Sequence, residues 1–267
     1  MKRRLLVLFT LLPALALAQS GPKRPHPRPT PEPEPVVVDK TVRDPKKFAA
    51  LSLLGDSVQL ISLTPSHGDT AQTGEWAAQP SGGVDDAALQ AVAATIKVLM
   101  PDRQIKLYTS TTRSLFGDPA GLFVNGRLSL PGHLGEAVKL SGAAQLLLIT
   151  RSQQDAALAA ALPARVLASL DGPGFLLDQR PAGQIGFDGQ AGLPVLASYA
   201  SIRVALVDLA DMRLRREQSM AVAQRLPVAR EAAANPWAAT TPEQRLKALE
   251  TLIEHELPNA VRTLLAP

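Results

Sequence analysis

Hydrophobic and polar positions alternate with two different periods along this 267-residue chain, and the changes of period predict its elements. Two β-prone runs, residues 48–54 and 57–63, are separated by Gly55 and Asp56, a two-residue break that predicts a tight hairpin. Leu89, Val92, Ile96 and Leu99 then recur at helical spacing behind Asp85 and Asp86. Either acid suits the cap of a helix that Pro101 ends. Residues 104–109 predict a strand. A Gly-rich loop with Phe116, Phe123 and Asn125 follows, and residues 134–140 predict a short helix. Residues 144–150 hold Leu146, Leu147, Leu148 and Ile149 in succession, as a strand covered on both faces requires.

The stretch 155–170 is Ala-rich but broken by Pro163 and has no clear period. Residues 174–178 and 184–187 predict a strand pair. Residues 199–209 alternate, with Ile202, Val204 and Leu206 on one side; Asp211 and Met212 turn the chain, and 214–223 return antiparallel. Thr241, Pro242, Glu243 and Gln244 match a capping box with proline at the first helical position. Leu246, Leu249, Ile253, Leu257, Val261 and Leu264 trace the buried stripe of the helix behind it, with a kink expected at Pro258. No internal repeat occurs. This order predicts an α/β (α+β) domain over residues 46–267: a single mixed β-sheet with helices packed on it, beginning with a β-hairpin and closing with a C-terminal helix.

The amino terminus reads as an address. Lys2, Arg3 and Arg4 precede an apolar run over 5–12, and Ala16-Leu17-Ala18 supplies the small residues of a cleavage site. A signal peptide over 1–18 is expected, cut between Ala18 and Gln19. A retained anchor is the alternative, but the run is short for the ~30 Å of a bilayer core. With no cysteine after it, lipoprotein attachment is not expected, and the periplasm is the expected location. Residues 22–35 read PKRPHPRPTPEPEP, with a proline at every second or third position. Polyproline II at ~3.1 Å per residue follows, so 19–45 is expected to be a disordered Pro-rich linker.

Composition narrows the chemistry. The chain is 46% hydrophobic and holds no cysteine, which excludes disulfides, thiolate nucleophiles, Cys-ligated zinc and iron–sulfur clusters. No apolar run reaches the ~18–20 residues of a membrane span. The formal charge of +4 comes from 28 basic and 24 acidic residues. Setting aside Lys2, Arg3 and Arg4, then Lys23, Arg24 and Arg28 against Glu32 and Glu34, leaves 22 of each sign. A neutral domain has no electrostatic footprint for nucleic acid, and none is expected as a partner.

Gly55-Asp56-Ser57 lies where GDSL-type esterases place their serine, so Ser57 is the one candidate nucleophile. The positions three before His26, His67, His133 and His255 hold Lys23, Thr64, Leu130 and Leu252, so the expected Asp-x-x-His is absent. No nucleophile elbow or Walker-type loop occurs. His255, between Glu254 and Glu256, has no second histidine at helical spacing and reads as a solvated face. No catalytic, cofactor-binding or metal-binding residue is assigned, and no cofactor is expected. Among the aromatics, Trp237 suits a staple before the last helix, Trp76 sits in a polar Gly-rich stretch, and Tyr199 opens the best strand.

The phrases FAALSLLGDSVQLI, AQLLLITRS, SYASIRVALVDLADMRLRREQSM and PWAATTPEQRLKALETLIEHELPNAV resemble an uncharacterised family of secreted proteobacterial proteins. The organisation is similar, in topology alone, to the N-terminal domain of TolB. These resemblances imply an envelope role and no reaction. The expected function is a non-enzymatic periplasmic binding or envelope-assembly module that engages an envelope protein through a sheet edge. The alternatives are a GDSL-like envelope hydrolase using Ser57 and a small-molecule binding protein.

Overall fold

In a computed structural model, residues 43–66, 69–78, 83–157, 167–184, 192–229 and 233–266 are described. The predicted cleavage site at Ala18 and Gln19, residues 19–42 of the predicted linker, and residues 185–187 of one predicted strand lie outside them; linker positions 43–45 are described, and the first strand takes up 44 and 45. From Phe48 onward β1 (Asp44–Leu53) is apolar at nearly every position, and both its faces are buried. Its neighbours β4 (Gln104–Thr109) and β7 (Ala143–Arg151) are both parallel to it. Parallel neighbours need crossovers, and α1 (Gly83–Leu99) precedes β4 as α3 (Gly132–Leu140) precedes β7.

β2 (Ser57–Ser66) leaves β1 altogether. It pairs antiparallel with β3 (Asp69–Ala78) and parallel with β10 (Pro173–Asp178). The hairpin predicted through Gly55 and Asp56 is therefore corrected. Gly55, at φ +82°, turns the chain from one branch of the sheet into another, and the first hairpin is β2–β3, with Ser66 opposite Asp69. A Gly-Asp break announces a change of direction, but partners far along the chain decide whether its flanks pair.

The two branches meet on β11 (Val195–Asp208). Its residues 195–200 pair with β10 and its residues 202–208 with β7, while β12 (Arg213–Arg225) lines its other edge. Beyond β12 lies the short hairpin of β5 (Phe123–Val124) and β6 (Arg127–Leu128), joined to it at Arg213. The ambiguous stretch near 155–170 supplies β8 (Gln153–Ala157) and β9 (Leu167–Asp171), a separate two-stranded ribbon.

The alternation along β11 sorts the layers. Ile202 and Val204 join Phe48, Ala50, Leu147 and Ile149 under α1 and α4 (Pro242–Leu265). Ala205 and Val207 face the other way, with Leu51, Leu146 and Leu148 against α3 and α2 (Ser114–Gly117). Further along that second face, β9 covers Ile61, Leu176 and Tyr199. The mixed sheet with helices packed on it and a closing C-terminal helix is the predicted class. Leu89, Val92 and Ile96 are buried as expected, whereas Leu99 is exposed. In α4 the capping box forms: Gln244 N donates to Thr241 Oγ1 (3.2 Å), and Thr241 N donates to Gln244 Oε1 (2.9 Å). The helix runs unbroken across Pro258.

Candidate functional site

Where the two branches separate, the corner between β1 and β2 carries backbone groups that no strand receives. Two charged side chains take them. Arg151, at the end of β7, donates from Nε to the Leu54 carbonyl (2.7 Å) and from Nη2 to the Ser57 carbonyl (2.8 Å) and Ser57 Oγ (2.9 Å). Asp85 accepts from Leu54 N (2.9 Å), Gly55 N (3.1 Å) and the Ser52 hydroxyl. Arg151 is 7% exposed and Asp85 5%. The predicted cap role of Asp85 is corrected: α1 starts at Gly83, and the carboxylate in its first turn reaches across to the end of β1. The buried corner needs acceptors more than the helix start does.

Glycines make room for the pair. A Cβ on Gly55 would lie 2.7 Å from the Phe116 ring, and one on Gly172, at φ +66°, 2.8 Å from the Arg151 side chain. Beside them Ser201 N donates to the Gly172 carbonyl (2.9 Å), and Ser152 N to the Ser201 carbonyl (3.0 Å). Burial pushes the Asp85 carboxyl above its ordinary pKa, against the hydrogen bonds from Ser52, Leu54 and Gly55. Burial likewise pulls the Arg151 guanidinium down, against the charges of Asp171, Asp85 and Asp56. Asp171 is raised by burial and held back by Arg151, and the buried Tyr199 hydroxyl is raised too.

The same arginine gathers residues far apart in sequence. Its guanidinium lies 4.6 Å from the centroid of the Trp76 ring, a cation–π contact whose outer side is open, Trp76 being 47% exposed. Trp76 is in β3, not in a loop, and opposes Gln59; Gln59 opposes Gly174, and Gly174 opposes Tyr199. The Tyr199 hydroxyl donates to Gln59 Oε1 (2.7 Å), which also accepts from Asp171 N (3.2 Å). A side chain on Gly174 would collide with Tyr199. Ser57, Trp76 and Tyr199 thus converge on one cation. Trp237 lies elsewhere, under Arg245 at 3.9 Å and edge-on to Phe175 at 5.8 Å, anchoring the start of α4. Sequence reasoning missed Arg151 and misassigned Asp85; the one available signal was a charge closing β7, one residue beyond its apolar run.

Ser57 Oγ accepts its bond from a guanidinium, which cannot take a proton. Among the described residues no imidazole or carboxylate bonds this hydroxyl. Asp85 is occupied by three donors. His255 is exposed, with Nδ1 2.9 Å from Glu256 Oε1, and His133 is exposed in the first turn of α3. His26 and His67 lie outside the described residues. No group of three His, Asp or Glu among the described residues is placed to hold a metal.

The chain is similar to a solved protein. This is XCC0632 of Xanthomonas campestris, of family DUF330, at 13% identity and a TM-score of 0.33, over 82% of this chain and 83% of that one. No protein-family model matches the chain, and no curated protein matches its sequence.

Four strand edges border the sheet among the described residues, the shortest being the two-residue β5, which pairs only with β6. β4 pairs only with β1, β12 is unpaired outward beyond Leu214, and β3 pairs only with β2 along all ten of its residues. Gln72 of β3 holds the β8–β9 ribbon, its side-chain amide donating to the Ser169 carbonyl (2.9 Å) and accepting from Ser169 N (3.2 Å). No helix among the described residues is long and apolar enough to cross a membrane.

Proposed function

We propose that this chain is a non-enzymatic binding module of the cell envelope, which takes an extended segment of another envelope protein by strand addition along the outer edge of β3. The reading includes export through the signal peptide at 1–18 and kinship with secreted proteobacterial proteins. What carries it is the ten-residue β3 edge, whose sequence DTAQTGEWAA holds no lysine, arginine or proline and only two charges, Asp69 at its end and Glu75. Edges are ordinarily blocked by short length, by charge, especially lysine, or by proline. β4 has six residues with Lys106 among them, and the unpaired part of β12 opens on Arg215, Arg216 and Glu217. An added strand would hydrogen-bond the β3 backbone and set its alternate side chains against the open side of Trp76. The hydrolase alternative is not favoured, because Arg151 holds the Ser57 hydroxyl and no base among the described residues adjoins it.

The test places a photo-cross-linking residue at Thr73 of the full-length protein in cells, with Lys106 of β4 as the comparison site. One discrete envelope adduct at Thr73, lost on Trp76→Ala and absent at Lys106, is the expected result. No adduct, or one indifferent to Trp76→Ala, would overturn the reading.

A further inference from the structure

One end of the sheet gathers several element ends. β1, β4 and β7 start there, β11 finishes there opposite the start of β12, and α1 and α3 close there before β4 and β7. The end of α4 joins them, the Ala266 carbonyl accepting from Arg216 Nη1. The chain enters the described domain at this same end, through Arg43 and Asp44.

Four of the seven large hydrophobic side chains exposed among the described residues lie here: Val98 and Leu99 on α1, Val124 in the β5–β6 hairpin, and Leu140 on α3. Val98 is 76% exposed and Leu140 83%, so neither contributes to a core. The end is also cationic. Four carboxylates here are engaged, Asp44 with Lys47, Asp102 with Lys46, and Asp208 and Asp211 with Arg215, while Glu136 on α3 has no ion-pair partner among the described residues. Lys97, Arg127, Lys139, Arg216 and Arg262 have no carboxylate partner among the described residues. Three helix C-termini supply about −0.5 charge each, well short of five cations. Beside the end of α4 opens a cleft of about 570 Å³, with Phe48, Met100, Leu206 and Leu264 in its lining together with Arg103, Arg216 and the Asp208–Arg215 pair. Arg103 donates to the Pro45 carbonyl and pairs with Asp102 at 3.9 Å, whereas Arg216 donates to the Ala266 carbonyl and has no carboxylate partner among the described residues.

We infer that this end of the domain docks on an anionic phospholipid surface, with Val98 and Leu140 entering the headgroup region and the surrounding cations facing lipid phosphates. Protruding apolar side chains ringed by lysine and arginine suit such an interface, since the first gain from leaving water and the second from the negative surface potential. A water-facing end of a neutral domain has no need of either.

Because residues 5–12 are themselves apolar, vesicle binding alone is not the readout; a position-specific signal is. The chain lacks cysteine, so Leu140→Cys or, in a second variant, Glu75→Cys on β3 of the full-length protein takes an environment-sensitive fluorophore at one site. With vesicles of phosphatidylglycerol and phosphatidylcholine in equal parts, the probe at 140 is expected to shift blue and resist iodide quenching. The probe at 75 is expected to do neither, and phosphatidylcholine vesicles to give no response at 140. Lys97→Glu combined with Lys139→Glu should weaken the response at 140 by roughly thirtyfold, with a melting temperature lowered by no more than a few degrees, since both side chains are exposed and lose only their contact with a helix C-terminus. High salt should act in the same direction. Equal responses at both positions, none at 140, or indifference to the charge reversals would overturn the inference. So would shielding at 140 that requires an added envelope protein, which would assign this face to a protein partner.

Discussion

Asp85 occupies the first turn of α1, where a carboxylate is favoured by the helix dipole, yet its side chain serves the end of β1. Removing it strands two amides and a hydroxyl in a buried corner. Each orphaned group costs roughly 1–3 kcal/mol, so Asp85→Ala is expected to lower the unfolding free energy by about 3–5 kcal/mol, read from the midpoint of urea denaturation. The same site imposes a pH dependence. Burial raises the folded-state pKa of Asp85 above that of the unfolded chain. The stability attached to its protonated form is therefore complete below the ordinary carboxylate value and lost as pH rises through the folded-state value. The stability of the wild type relative to Asp85→Asn should fall across that window. A rise would mean that the three hydrogen bonds outweigh burial. None of this is legible from sequence, where Asp85 and Asp86 look like interchangeable caps.

At the scale of elements, the helices and the long buried strands carry their own signatures, and α4 does so most completely. Its capping box, its proline at the first turn and its apolar stripe all agree. Thr241→Ala should cost about 1 kcal/mol and lower the melting temperature by roughly 2–4 °C, measured by thermal denaturation. A loss no larger than that of a neutral surface substitution would show that packing against α1 and the sheet holds the helix start unaided. The missed strands have identifiable causes. β3 is polar and exposed along most of its length, so it lacks the alternation by which a half-buried strand is read. The β5–β6 hairpin is two residues on each side, but its Asn125-Gly126 turn, at φ +52° and +73°, is the strongest short hairpin signal in the chain.

For the molecule as a whole, the decisive feature is a sheet that forks from β11 and is bound at the fork by Arg151. Arg151→Met keeps much of the volume but leaves the Leu54 and Ser57 carbonyls unpaired. Backbone hydrogen exchange over 57–63 is expected to accelerate by about tenfold or more, and by less over 146–149, since an unpaired buried group costs roughly 1–3 kcal/mol locally. Equal acceleration in both branches would mean that the fork opens only with global unfolding. The fold class, the capping of α4, the burial of β7 and the neutrality of the domain could all be read along the chain, because periodicity, caps and charge are local or additive properties. The fork, its buried Asp85 and Arg151, and the convergence of Ser57, Trp76 and Tyr199 could not. Arg151 and Ser57 are 94 residues apart and Tyr199 and Gln59 are 140 apart. Contacts at such separations are selected by which strands pair, and that choice belongs to the packing of the entire sheet, with no counterpart in any short stretch of sequence.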